Sequence, residues 1–306
     1  MYVLRRNELR VFKSICDGAK STANLVETLG VSAISVYRAV ESLSSKKMIK
    51  ARRTGKRLLL APSSHSHSKA LAAYLEGSRR PIEPLIGSRL LVLLSVSSNP
   101  KRLDRVAEET RLTSESVRRI VWNLKGFGAV NQEKRVISTP QSDTALLRFL
   151  QDFSRGACAA VLETIAPTGT VLWSEGLEFI FSARALVEAR GVRETGITAM
   201  SRRGLRFVSD TRYYHCAYWN PRLRTEDIAL HQILVDPSST RNISYGILFL
   251  MKEGHRPTYL VKQGEAVGAG ELARQIAGYL RGEVVDNPHF PSISDMAELR
   301  AQYGVS

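Results

Sequence analysis

Apolar side chains near the start of the chain follow the helical period, and the same pattern returns 81 residues later without a gap. Leu9, Val11, Phe12 and Ile15 fall on Leu90, Val92, Leu93 and Val96, one apolar face of a first helix, and Leu25 falls on Val106 in a short second helix. The third segment matches best, with Val31-Ser32 on Leu112-Thr113, Ser35-Val36 on Ser116-Val117, Arg38 on Arg119, Val40 on Val121 and Leu43 on Leu124. Val36, Val40 and Leu43 stand at i, i+4 and i+7, as do Val117, Val121 and Leu124, so one face of each third helix belongs to a core and the other points outward. Ser32 and Thr113 precede these helices, where a hydroxyl accepts a free backbone N–H of the first turn. A period this long suits a duplicated small domain rather than a solenoid. The order predicted for each copy is helix, helix, turn, helix, hairpin.

The outward faces carry Ser35, Tyr37 and Arg38 in copy one and Ser116, Arg118 and Arg119 in copy two. Behind the third helix of copy one, Lys50-Ala-Arg-Arg-Thr-Gly-Lys-Arg57 runs into Leu58-Leu59-Leu60, and Thr54-Gly55 suits a hairpin turn with cations crowded around it. The hairpin of copy two, Val130 to Ile137, is shorter and carries Lys134 and Arg135, so copy two is expected to make fewer contacts. Charge sharpens this picture. Residues 1–62 hold 13 Lys+Arg against 4 Asp+Glu, residues 85–137 hold 10 against 5, and everything from 138 onward balances at 18 against 18, within a net +15. A basic first half meeting a polyanion and a neutral second half with a different job is the implied division. Small hydroxyls permit close approach, arginine bonds guanine bidentately, and a cationic hairpin suits a phosphate backbone. The predicted DNA-contacting set is Ser32, Ser35, Tyr37, Arg38, Lys46, Lys50, Arg52, Arg53, Lys56 and Arg57 in copy one, and Thr113, Ser116, Arg118, Arg119, Lys134 and Arg135 in copy two.

The run Val31-Ser-Ala-Ile-Ser-Val-Tyr-Arg-Ala-Val40, with Leu43, Met48-Ile49 and a basic hairpin behind it, resembles the helix-turn-helix and wing of prokaryotic winged-helix transcription regulators, including the MarR, ArsR and TrmB-like groups. The likeness covers residues 4–62 and 85–137. It implies double-stranded DNA as partner, although some winged helices bind protein or RNA instead. The expected fold is α+β: two tandem winged-helix domains (1–62 and 85–140) around a polar linker with a short helix (63–84), then a mixed α/β domain (141–286) and a tail (287–306).

In the second half, a helix is predicted over Thr144–Thr164, strands over Gly169–Trp173, Leu177–Ser182, Leu205–Val208 and Tyr213–Trp219, and helices over Thr225–Val235, Ile243–Lys252 and Glu271–Leu280. Gly268-Ala-Gly270 lacks the third glycine and the preceding strand of a dinucleotide site and reads as a helix-entry loop. His65 and His67 have no third ligand nearby, and His215, Cys216 and His231 lack ligand spacing, so neither group is assigned a metal. Glu175 and Glu178 read as exposed loop acids. The segments Glu194 to Gly204 and Glu226 to Asp236 are similar to the C-terminal region of AbiE-type antitoxins, a family in which a winged helix represses its own operon and the remaining domain opposes a nucleotidyltransferase-like toxin.

Three scattered cysteines, Cys16, Cys158 and Cys216, point to a reducing compartment, and the absence of a long apolar run to a soluble cytoplasmic protein without a membrane partner. The expectation is a DNA-binding transcription regulator, not an enzyme, with no cofactor and a C-terminal domain for a protein partner, self-association or a small effector. The alternatives are the antitoxin-like autorepressor and a DNA-processing enzyme using Glu175, Glu178 and Asp236.

Overall fold

The computed structural model describes residues 3–54, 57–76, 80–219 and 221–305, and of Arg57 the backbone alone. Copy one comprises α1 (Arg6–Cys16), α2 (Thr22–Leu29), α3 (Ala33–Ser45) and a hairpin of β1 (Ile49–Thr54) and β2 (Arg57–Pro62). After α4 (Ser66–Glu76) and a single 3-10 turn, copy two follows as α5 (Ser88–Ser95), β3 (Lys101–Arg102), α6 (Leu103–Thr110), α7 (Ser114–Gly126), β4 (Asn131–Glu133) and β5 (Val136–Ser138). The second helices and the third helices of the two copies are in register at the offset of 81. The edge pairing repeats too. Ser21 bridges to Leu59, and in copy two the equivalent strand β3 pairs with β5 through Lys101–Ile137 and Arg102–Val136.

The physics of the repeat is carried by its two corners. Gly30 closes α2 in the left-handed conformation at φ 62°, and Arg111 closes α6 at φ 58°, 81 positions on. Past the third helix, Lys47 (φ 56°) and Gly128 (φ 68°) form the second equivalent pair. Each copy therefore makes the same two left-handed turns with one glycine and one non-glycine, in opposite order. Between the turns, the Ser32 hydroxyl accepts the Ser35 N–H at 3.3 Å and the Thr113 hydroxyl accepts the Ser116 N–H at 3.2 Å, caps that contribute about 1 kcal/mol each. Val36, Leu43, Val117, Val121 and Leu124 are fully buried, as the periodicity predicts.

The segment expected as an exposed linker is instead partly buried. Beyond α3, three consecutive carbonyls lack helical partners, and this segment supplies them: the His67 ring Nε2 bonds Lys46 O at 3.0 Å, Ser63 Oγ donates to Lys47 O, and Ser68 Oγ donates to Met48 O at 2.6 Å. Burial is the first cause that pushes the His67 pKa down, which keeps the ring neutral and suited to this role. α4 takes in the polar Ser66-His67-Ser68 stretch of this segment, where His67 and Ser68 bond backbone rather than water.

The chain packs as two compact units, Met1–Val161 with Glu175–Leu177, and Leu162–Ser174 with Glu178–Ser306. Both copies and α4 lie in the first. A long helix, α8 (Thr144–Ile165), follows copy two. The second unit contains a sheet in the order β6 (Thr170–Glu175), β7 (Glu178–Ala183), β9 (Arg212–Ala217), β8 (Val192–Glu194), with the short α9 (Gly196–Arg202) between β8 and β9. Then come α10 (Thr225–Leu234), α11 (Thr240–Glu253), α12 (Pro257–Ala266), α13 (Gly270–Leu280) and α14 (Ile293–Tyr303). The fold is thus α+β, with small antiparallel sheets. Leu205–Val208, predicted as a strand, has no ladder partner and is irregular, with Val208 fully exposed. The tail after 287 forms a helix whose Met296, together with Val305 beyond it, enters the apolar core built by α10, α11 and α13.

Replacing Arg111 by Gly should raise stability by about 0.5–1 kcal/mol, since relief of a left-handed side chain worth about 1–2 kcal/mol exceeds the added chain entropy of glycine. Denaturant unfolding of the two proteins side by side measures this, and a loss of stability refutes the strain.

Candidate nucleic-acid interface

The outward face of α3 presents Ile34 (66% exposed) and Tyr37 (55%) with Arg38 beside them, while Ser35 is half-buried and its hydroxyl accepts from Asn7 Nδ2 at 3.0 Å. On α7, Arg118 and Arg119 are exposed, Arg118 lies 3.3 Å from Glu115, and Trp122 stands out at 73% exposure. Lys50, Arg52 and Arg53 line the exposed strand β1, whose partner β2 runs antiparallel from Ile49–Pro62 to Thr54–Arg57. Among the described residues, none of Arg38, Arg119, Lys50, Arg52 and Arg53 is in an ion pair. Lys56 lies outside the described residues, as does the side chain of Arg57.

Lys46 differs from the rest of the predicted set. Its ammonium sits 2.8 Å from both carboxylate oxygens of Glu8, and its side chain is 12% exposed. Glu8 also accepts the Arg5 N–H at 2.7 Å, so one carboxylate caps α1 and ties it to the end of α3. Burial would raise the Glu8 carboxyl, but Lys46, Ser42 and that N–H outweigh it and hold the pKa low. Lys46 thus joins two helices of the copy instead of presenting its charge outward.

In copy two, the start of α7, the hairpin and the strand before α6 enclose a cleft of about 300 Å³, lined by Arg102, Arg118, Lys134 and Arg135 with Asp104 and Gln132. Lys134 adopts φ 52° at the hairpin tip, and its carbonyl accepts from Gln132 Nε2 at 3.0 Å. Four cations converge here although the hairpin is short. Arg102 was not in the predicted set. The signal for it was the offset itself, since residue 102 corresponds to Ser21 at the edge strand of copy one.

The strand that carries Arg102 also feeds a buried ion cluster. Lys101, next to Arg102 on β3, is 3.0 Å from Glu109 and 3.6 Å from Glu175, and Arg105 Nε lies 2.7 Å from Glu109, which also accepts from Ser95 at 2.7 Å. Burial raises the Glu109 pKa, but the two cations and the Ser95 hydroxyl overcome it, leaving the carboxyl below its ordinary value. Glu175 is therefore a buried member of an ion network and not an exposed loop acid.

In the second unit the predicted acids and histidines are redistributed. Glu178 is buried and lies 2.8 Å from His215 Nε2, and Asp236 is engaged by the Ser238 hydroxyl at 2.8 Å. His215 and His231 come together, their rings stacked with centroids 4.3 Å apart, but Cys216 does not join them, because successive strand residues face opposite sides of the sheet. Gly270 opens α13, so the Gly268-Ala-Gly270 segment is the entry to a helix. No helix among the described residues is long and apolar enough to cross a membrane. Compared with known proteins, the chain matches no family model, no curated protein and no solved structure.

Substituting Glu109 by Gln should destabilise the protein by about 3–5 kcal/mol, because it leaves two cations of the buried cluster, Lys101 and Arg105, with Glu175 alone, 3.6 Å from Lys101, as the remaining buried carboxylate. The low Glu109 pKa gives a contribution fully present above the unfolded-state value and lost as pH falls through the folded-state value. Chemical denaturation at neutral and acid pH should therefore show the gap between wild type and Glu109→Gln closing on acidification. A gap that does not change with pH contradicts the assignment.

Proposed function

We propose that this chain is a sequence-reading, double-stranded DNA-binding transcription regulator built on two tandem winged-helix domains, and that it is a binding protein and not an enzyme. The observation that carries the reading is the repeated placement of outward, unneutralised arginines at one position of two equivalent helices, Arg38 and Arg119, each followed by a basic hairpin. A recognition helix needs a capped start, a buried inner face and small or cationic residues on its outer face, and both copies meet those needs. Ile34 and Tyr37 suit apolar contact with thymine methyls, and Arg38 suits guanine. Lys50, Arg52 and Arg53 on one hairpin, and the cleft around Arg102, Lys134 and Arg135 on the other, suit phosphates. Lys46 belongs to the scaffold in this reading.

The carboxylates of the enzymatic alternative, Glu175, Glu178 and Asp236, are each engaged by a different partner, which favours a binding role. The second unit then serves a partner or an effector. One observation favours the antitoxin-like version of that role: the two segments that carry the AbiE resemblance are bonded to each other, through Ile197 N–H to Gln232 Oε1 at 2.9 Å and Thr195 Oγ1 to His231 Nδ1 at 2.8 Å. A nucleotidyltransferase reading frame beside the gene, with a product that co-purifies, would select it.

Fluorescence anisotropy against duplexes taken from mapped genomic sites tests the main reading. With roughly six phosphates engaged, affinity should fall with a log–log salt slope of about −5. Arg38→Ala should cost about 1–3 kcal/mol of sequence preference, whereas Arg53→Ala should weaken all duplexes alike and flatten the slope by about one. Equal effects of the two changes would remove the assigned roles, and no duplex binding at low ionic strength would end the proposal.

A further inference from the structure

Three side chains from three elements of the second unit converge on one buried point. Glu178 opens β7, His215 lies in β9 and His231 in α10, and one ligand atom of each lies within 4.8 Å of the other two. Register explains the first pair. Ile180 is directly opposite His215, so Glu178 is its diagonal neighbour on the same face of the sheet, and α10 lays His231 over that face. All three are buried, at 2%, 1% and 6% exposure.

We infer that Glu178, His215 and His231 form a binding site for a divalent first-row transition ion, of which zinc is the best fit. Two imidazoles and one carboxylate are a zinc donor set, and bonds of about 2.0–2.2 Å in a tetrahedral shell place donor atoms about 3.3 Å apart. The observed cluster needs to contract by at most about 1.5 Å, while the Glu178–His215 pair at 2.8 Å opens by about 0.5 Å as its hydrogen bond is exchanged for two bonds to the ion. The outer support is in place: Thr195, fully buried at the start of α9, bonds His231 Nδ1 at 2.8 Å, and when Nδ1 donates there, Nε2 carries the lone pair that a metal requires. A divalent charge also offsets burial of the Glu178 carboxylate. Closed off from solvent, the ion acts as a structural clasp between α10 and the β7–β9 ladder, with a water or the second Glu178 oxygen in the remaining position. The three ligands are 37 and 16 residues apart in the chain, which is why no spacing motif announces them.

The full chain, stripped with a chelator and titrated with Co2+ as a spectroscopic probe, should bind one equivalent with the visible ligand-field bands of a low-coordinate site, and Zn2+ should displace it. Zn2+ should raise the melting temperature of the wild type. Glu178→Gln, which keeps the side-chain shape, and His231→Ala should abolish the bands and the thermal response, Thr195→Val should weaken Co2+ binding about tenfold, and His65→Ala should leave the stoichiometry unchanged. A wild type that binds no Co2+, or folded Glu178→Gln and His231→Ala variants that bind it undiminished, would overturn the site and leave only a buried histidine–glutamate pair. Loss of binding in His65→Ala with retention in His231→Ala would overturn it as well.

Discussion

The third helix of each repeat is set by two left-handed residues, one before it and one after, and the outward face depends on that pair. Gly30 and Lys47 bracket α3 as Arg111 and Gly128 bracket α7. A backbone that turns left-handed at both ends of a helix fixes how the helix enters and leaves, and the apolar stripe Val36, Val40, Leu43 then decides its rotation. Once that stripe is buried, Tyr37 and Arg38 have nowhere to go but outward. Left-handed geometry is costly for a side chain bearing a Cβ, so the persistence of Lys47 and Arg111 shows that the surrounding packing over-determines these turns.

The same helix ends create work for the rest of the first unit. Carbonyls of Lys46, Lys47 and Met48 point past the end of α3, and the Ser63-to-Ser68 segment satisfies them from the side. That bonding needs His67 buried, and room for its ring comes from Gly156 of α8, where an added Cβ would lie 2.5 Å from Nδ1. Phe153, one turn earlier on α8, meets the His67 ring edge-on. Copy one, α4 and α8 are therefore coupled through one imidazole, and the hairpin that begins at Ile49 departs from a fixed point.

Elements whose apolar residues follow a strong period were legible in the sequence. The offset of 81 located α2, α3, α6 and α7, because burial of one face imposes its periodicity on the residues. The segment before α4 was not, because serine and histidine look alike in composition whether they bond water or backbone. α9, α12 and the tail helix α14 escaped for a related reason: they bury few residues each, and their helices rest on contacts supplied by α10, α11 and α13. At the candidate interface, arginines at repeated positions were readable, but the fate of Lys46 was not, since only the fold brings Glu8 to it from 38 residues away. Arg102 was hidden in the opposite sense, in a two-residue strand too short for any period.

Two copies in one compact unit bear on how recognition would work if both bind DNA. A dimer must hold a second reading head by association, whereas under the proposed role the second head would be on the same chain, with an effective concentration set by packing and not by protein level. The two copies are not equivalent. Copy one combines an outer helix face with Ile34 and Tyr37 and a six-residue strand that carries three cations, while copy two has three-residue strands and a compact cleft lined by Arg102, Arg118, Lys134 and Arg135. A cleft whose neighbouring Lys101 is locked in a buried ion cluster is preorganised, and preorganisation lowers the ordering cost of binding. Under the proposed DNA-binding role, the four cations of that cleft would therefore count for more than the short hairpin of copy two alone suggests.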